Sequence, residues 1–333
     1  MGFAFRHALF LMVSFICLSR VVFAEGLALQ PLQISNQAPL AALCGLPTAG
    51  QPRLLAAGEY EVAFRWDLAN NNSFGAIAAE QVQFDGETHR LVVRLERGLA
   101  NGWQVGIEIP LIAHRRGALD SFIEDWHDFF GLPQGGRDQA ASDQLSYRYQ
   151  NGGSSLELLQ EKTGLGDVGL FLSHQLRIDS DSALAVHASL ELPTGDEDEL
   201  LGSGSLDASL RLSGDQFWNG DGQRTGLFWS GGLLLSDGNG ILSEQRRQIA
   251  GIASLGLAWS MWQNVALQLQ LDGHSALFDD SKLRQVGDAA LQLTTGGAVA
   301  LTKTTRLELA VAEDIAVDTA PDVTFHLRLS RRF

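Results

Sequence analysis

Twelve stretches of this sequence alternate apolar and polar residues, and no other feature restricts the fold as much. In the first, Tyr60, Val62, Phe64, Trp66 and Leu68 take one side of a strand while Glu61, Arg65 and Asp67 take the other. A strand turns successive side chains to opposite faces, so a period of two gives each segment one apolar and one polar face. The remaining eleven lie at 88–97, 102–112, 165–178, 181–193, 205–214, 226–236, 249–260, 263–273, 288–301, 304–313 and 322–333. In the last, Val323, Phe325, Leu327, Leu329 and Phe333 oppose Thr324, His326, Arg328, Ser330 and Arg332. Arg331 interrupts the apolar face, but at a membrane rim such a side chain snorkels to the headgroups.

The connections decide between kinds of β protein. Long ones (69–87, 113–164, 194–204, 237–248, 274–287 and 314–321) alternate with short ones at Leu99–Asn101, Asp179–Ser180, Ser260–Gln263 and Thr302–Lys303. Only 215–225 is long within the short series. Outer-membrane barrels have short periplasmic turns, long outer loops and an even strand count. Lipid offers no hydrogen-bond partners, so a sheet inside it must close on itself. The expected fold is all-β: a transmembrane antiparallel up-and-down β-barrel of about 12 strands. It spans 58–333, with both termini periplasmic and one amphipathic helix in the long loop 113–164. Ser142–Gln150 and Ser154–Glu161 read as a further hairpin, in the wall or projecting from it, which leaves the count between about ten and fourteen. A soluble β-sandwich also alternates, but it does not call for this asymmetry of connections.

Arg6 and His7 precede an apolar run from Ala8 to Leu18, and Val22 and Ala24 supply small residues before Glu25, which reads as a cleaved signal peptide over 1–24. The run is shorter than the ~20 residues a spanning helix needs. The expected location is the bacterial outer membrane, with its lipid and the barrel-assembly machinery as partners. The ending at Phe333 resembles the assembly signal of such barrels. Of 2 cysteines, only Cys44 lies beyond the leader, so no internal disulfide is expected. A formal net charge of −15 argues against nucleic acid. The 36 glycines and 8 prolines suit a β protein rich in turns. In 25–57, Pro and Gly recur too often for a regular element. This arm is either a plug folded into the lumen or a disordered periplasmic leader.

Within the long loop the period changes. Leu119, Phe122, Ile123, Trp126, Phe129 and Phe130 fall at helical spacing. Asp120 or Ser121 can cap it, with Glu124 positioned for a capping box from Ser121, and Gly131-Leu132-Pro133 ends the helix. Its polar face carries Glu124, His127 and Asp128. The helix can gate the barrel mouth, pack on the rim, or hold a metal or catalytic site through those three. An acidic face disfavours anionic headgroups, and two carboxylates with one histidine fall short of a metal site. No cofactor and no metal are expected.

Two resemblances attach to these residues. Ile34-Ser35-Asn36-Gln37-Ala38-Pro39-Leu40, the helix Phe122–Pro133 and Arg137 resemble the bacterial family named for domain of unknown function 3187. Gly164-Leu165-Gly166-Asp167 and Leu192-Pro193-Thr194-Gly195 are similar to motifs of the outer-membrane transporters of the MetA-pathway phenol-degradation type. Both resemblances imply an outer-membrane barrel, and neither implies a catalytic residue.

The polar faces gather Arg65, Arg94, Glu96, Glu108, Arg177, His187, Glu191, Arg211, Asp272, Arg306, Glu308, His326 and Arg328 toward the lumen. Their mixed signs predict no strong ion selectivity. They either line a path or form a ladder of ion pairs filling a closed lumen. The first expectation is a channel or transporter for a small solute, apolar solutes included, gated by the arm or the loop helix. The second is a lipid-modifying enzyme. His114, His127, His174, His187, His274 and His326 offer bases, but there is no Gly-x-Ser-x-Gly elbow. The third is a structural or adhesive barrel using the acids of 195–199 and 279–280. The sequence leaves the oligomeric state open.

Overall fold

A computed structural model describes residues 28–117, 119, 144–220, 223–315 and 319–333. The segment expected to be a signal peptide and, apart from Leu119, the segment expected to form the loop helix, with Glu124, His127 and Asp128, lie outside the described residues.

The strands are β1 (Tyr60–Ile77), β2 (Glu80–Gly98), β3 (Trp103–Arg115), β4 (Ser146–Asn151), β5 (Ser154–Leu158), β6 (Lys162–Leu165), β7 (Val168–Ile178), β8 (Ser182–Leu192), β9 (Asp207–Gly220), β10 (Gln223–Ser236), β11 (Ile249–Trp262), β12 (Val265–His274), β13 (Ala290–Ala300), β14 (Thr305–Asp314) and β15 (Val323–Arg332). Twelve of them pair antiparallel in the order β1-β2-β3-β7-β8-β9-β10-β11-β12-β13-β14-β15, and β15 returns to β1. The closing register sets Arg65 opposite Arg328 and Asp67 opposite His326. The fold is a closed antiparallel barrel.

Outward faces are apolar and exposed: Leu170, Leu172, Leu210, Leu233, Leu255, Leu257, Leu267, Leu269 and Leu309 are examples. A continuous apolar belt of this extent belongs in lipid. Tyr60, Trp103, Trp218, Trp259, Trp262 and Phe333 are exposed around the short-turn end, where they form an aromatic girdle of the kind that sits at headgroup level. The Arg331 guanidinium lies 5.0 Å from the Phe333 ring centre, so the charge that interrupts the apolar face of β15 sits within that girdle.

Two connections differ from expectation. The stretch 69–87 is not a loop: β1 and β2 continue past the wall to a tight turn at Ala78–Ala79. The polar run Asn70-Asn71-Asn72-Ser73 hides the period there. Residues 215–225 also belong mainly to strands, since β9 reaches Gly220 and β10 begins at Gln223. The extra hairpin β4–β5 stacks on the projecting part of β2, and β6 extends the edge of β3. It projects from the wall and leaves the barrel at twelve strands.

Candidate functional site

The barrel interior divides into an ion ladder, a neutral wall and the chain segment between them. The ladder follows from alternation on β14, β15, β1, β2 and β3, which stacks charged residues across neighbouring strands. Glu308 receives Arg306 at 2.8 Å and Arg328 at 3.0 Å. Arg328 also reaches Glu61 at 2.6 Å, and Arg332 shares that carboxylate at 2.9 Å. Asp67 takes His326 at 2.6 Å and Arg65 at 3.0 Å. Arg65 continues to Glu108 at 3.1 Å, and Arg94 joins Glu108 at 3.2 Å to Glu96 at 2.9 Å. Eight of the thirteen lumen candidates therefore form one cross-strand network: Arg65, Arg94, Glu96, Glu108, Arg306, Glu308, His326 and Arg328.

Residues 28–57 run through the lumen as two legs joined by a turn. The first leg climbs beside β12. Gln268 donates to the Gln30 carbonyl. The Gln270 amide accepts from the Leu32 N–H at 2.9 Å and donates to the Leu32 carbonyl at 3.0 Å. This is the pairing a neighbouring strand would offer, supplied here by a side chain. Arg306 donates to the Ala28 carbonyl below, and Asn36 reaches His274 and the Thr319 carbonyl above. A short 3₁₀ turn, Ala41–Leu43, crosses the lumen at the long-loop end. The second leg descends beside β9, β8, β7 and β3. Arg211 donates to the Thr48 carbonyl, Arg53 pairs with Asp215 at 2.8 Å, and Gln104 accepts from the Leu55 N–H at 2.8 Å. The chain then passes into β1.

The crossing turn is capped from outside. Leu40, Leu43 and Cys44 pack with Phe84, Tyr147, Leu200, Leu242, Leu277, Phe278 and Val286 from the projecting hairpins and loops. Arg246 pairs with Asp207 and also donates to the Leu43 carbonyl. Burial pushes the Cys44 thiol up to about 12. Gly45 (φ +60) has a built-in reason to be glycine, since a Cβ there would sit 2.7 Å from Asp207 Cβ. Two cavities of about 30 Å³ flank the arm. Each holds only a couple of waters.

The other candidates fall elsewhere. Arg211 binds the second leg, and Asp272 accepts from Gln270 and lines one cavity. Glu191 lines the other cavity. Arg177 departs from the inward set: β7 shifts register between Gln175 and Arg177, and Arg177 is exposed at the short-turn rim, paired with Asp179. His187 sits between Ser173 at 2.8 Å and Ser213 at 2.7 Å. No carboxylate contacts its ring among the described residues, so the orienting member of a triad is missing. Two of the loop acids are engaged in ion pairs, Glu199 with Lys162 and Asp279 with Arg247. The Asp167 carboxylate accepts the N–H groups of Gly195 and Ser203, tying two motif segments together. The lumen candidates drawn from the sequence omit Arg90 and the glutamines Gln104, Gln268 and Gln270, which lie on the polar faces of their strands. All obey the same alternation; apolar Val92 hides Arg90, and uncharged side chains give no electrostatic signal.

A family model described as a protein of unknown function (DUF3187) matches residues 8–333. No curated protein matches the sequence. Among solved structures, the COG4313 outer membrane channel from Pseudomonas putida F1 is similar at TM-score 0.54 and 15% identity, over 85% of this chain and 98% of that one. The KdgM porin has TM-score 0.41 and 9% identity, over 82% and 99%. The P. putida toluene transporter TodX has TM-score 0.35 and 10% identity, over 84% and 89%. At such identities the likeness to the first establishes the fold.

Proposed function

The chain belongs to the family of proteins of unknown function DUF3187, and we propose that it is an outer-membrane channel for a small solute, gated by its N-terminal arm. The observation that carries this reading is the way the arm is held. Its first leg is bound to β12 by neutral amide hydrogen bonds, not by ion pairs or a covalent link. Net, such bonds contribute about 0.5–1.5 kcal/mol each, so a few of them make a latch that can open. The ladder on the opposite wall is independent of the first leg except at Arg306 and Arg65. Removing the arm would leave the barrel braced and the lumen lined.

The capping cluster supports a solute with an apolar part. A strongly hydrated ion would shed water to pass Leu40, Leu43, Phe278 and Val286, whereas an apolar group loses nothing there. In this reading the segment 119–131 is a second element of the gate.

Single-channel conductance in a planar bilayer tests the proposal. The full chain gives rare, brief openings, and a variant lacking 28–57 gives a sustained conductance. Deleting 119–131 raises the opening frequency by a smaller factor. A folded arm-deleted barrel without conductance would overturn the reading.

A further inference from the structure

One cavity beside the arm contains an acid and a base that are both unused. It lies beneath the crossing turn, between Ser35–Gln37 on the first leg, Gly45–Thr48 on the second, and the wall of β1–β3, β7 and β8. Six charged side chains line it: Arg65, Arg90, Arg94, Glu108, Asp167 and Glu191. Four have partners. Arg65, Arg94 and Glu108 belong to the ladder, and Asp167 accepts two backbone N–H groups. Arg90 and Glu191 make no hydrogen bond and no ion pair with any described residue, and the Arg90 Nε is shut off from solvent without an acceptor. They are close enough to attract each other electrostatically, yet they stand on strands separated by β3 and β7 and do not meet.

Leaving opposite charges apart in a mostly enclosed space is costly, and no hydrogen bond or ion pair from the described residues offsets that cost. The other acids near Arg90 are Asp67, its cross-strand neighbour, and Glu108; Arg65 and His326 occupy the first, and Arg65 and Arg94 the second. Glu191 has Asp167, Asp207 and Glu108 within electrostatic reach. Its corner therefore favours a cation. Phe171 lines the same cavity, with one face covered by the Arg94 guanidinium at 4.0 Å.

We infer that Arg90 and Glu191 form a bipartite site for a zwitterionic solute, whose carboxylate binds Arg90 and whose ammonium binds Glu191. The inference rests on the channel reading above. With the arm seated the cavity admits only water, so the site fills as the arm withdraws. The planar guanidinium suits a carboxylate, to which it can donate two parallel hydrogen bonds. A solute carrying one charge alone satisfies one wall and leaves the other unpaired. Selectivity thus comes from separation of charges, which agrees with a lumen of mixed sign.

The test is flux through the full chain reconstituted in liposomes, with three matched probes and a control. Phenylalanine carries both charges, N-acetylphenylalanine only the carboxylate, and phenylalaninamide only the ammonium. Glycerol reports an open channel without regard to charge. Phenylalanine is expected to pass about tenfold faster than either singly charged probe, the ratio for one charge-assisted contact. Arg90→Gln should slow phenylalanine and the N-acetyl probe and spare the amide. Glu191→Gln should slow phenylalanine and the amide and spare the N-acetyl probe. Folding of each variant is checked by faster gel migration before boiling. Equal fluxes of all three probes, or variants that leave phenylalanine unchanged while glycerol passes, would refute the site and keep the channel. No flux of any probe, glycerol included, from a protein that also conducts nothing without its arm would remove both.

Discussion

The two halves of the barrel interior are built from different chemistry. The half made by β14, β15, β1, β2 and β3 is a network of charges in which Glu308, Asp67, Glu61 and Glu108 each take more than one cation. The half made by β10–β13 turns mostly small or neutral residues inward along its central spans: Ser230, Gly232, Ser254, Gly256, Ala258, Gln268, Gln270, Thr294 and Ala298. The difference is one of reversibility. A buried charge whose partner leaves is stranded, so a ladder holds its geometry. An amide or hydroxyl that loses a neutral partner accepts water instead, so a neutral wall can release what it binds. The arm's first leg lies against the wall that can let go.

The largest effect is expected on the ladder. Glu308→Ala strands Arg306 in the lumen, leaves Arg328 with Glu61 alone, and removes an acid beside His326. Breaking a buried pair by removing one partner costs about 3–5 kcal/mol, and the midpoint of barrel unfolding in urea should fall accordingly. A midpoint unchanged from the parent would mean that the ladder does not brace the wall, and the contrast between the halves would lose its meaning.

A smaller effect is expected on the neutral wall. Gln270→Ala removes both hydrogen bonds to Leu32, which destabilises the seated arm by about 1–3 kcal/mol and leaves barrel unfolding nearly unchanged. Cys44 reports the arm directly. The thiolate is the reactive form, and burial pushes this thiol up to about 12. In the seated arm alkylation should be slow at pH 8 and rise about tenfold per pH unit toward that value. A released thiol, near its ordinary value of ~8.5, should react fast and level off above it. Gln270→Ala should therefore raise the rate at pH 8 and flatten its pH dependence. Glu308→Ala, despite its larger cost, should alter this rate less. The reverse ranking would show that the ladder holds the arm.

The barrel was legible in the residues because a closed sheet in lipid leaves each strand little choice: apolar outside, polar inside. Twelve segments and a closing pair of β1 and β15 follow from that alone. Legibility failed where the two solvents cease to differ. Beyond the membrane, β1 and β2 pass through Asn70–Ser73 with no apolar face to mark the period, and the continuing strands read as a loop. The arm's path was equally hidden. Many of its contacts join its backbone atoms to wall side chains such as Gln104, Gln268 and Gln270, and a carbonyl leaves no trace in a sequence. The charged lumen residues other than Arg90 were visible as a set, but the sequence could not say that most of them pair with one another while Glu191 does not.

Arg177 gives the smallest expected effect and the sharpest check on what separates the ladder from charge in general. Strict alternation along β7 assigns it to the lumen. The register shift between Gln175 and Arg177 turns it out to the rim, where its pair with Asp179 is 2.6 Å long but exposed. Water screens such a pair, and holding two flexible side chains together offsets most of the attraction. Arg177→Ala should shift unfolding by about 0.5 kcal/mol or less and change neither Cys44 alkylation nor conductance. Arg306→Ala carries the same charge change into the interior, where Glu308 and the Ala28 carbonyl both lose a donor. It should cost several times more and loosen the first leg at its base. Equal effects from the two substitutions would show that net charge, and not enclosure, sets the strength of the charged wall.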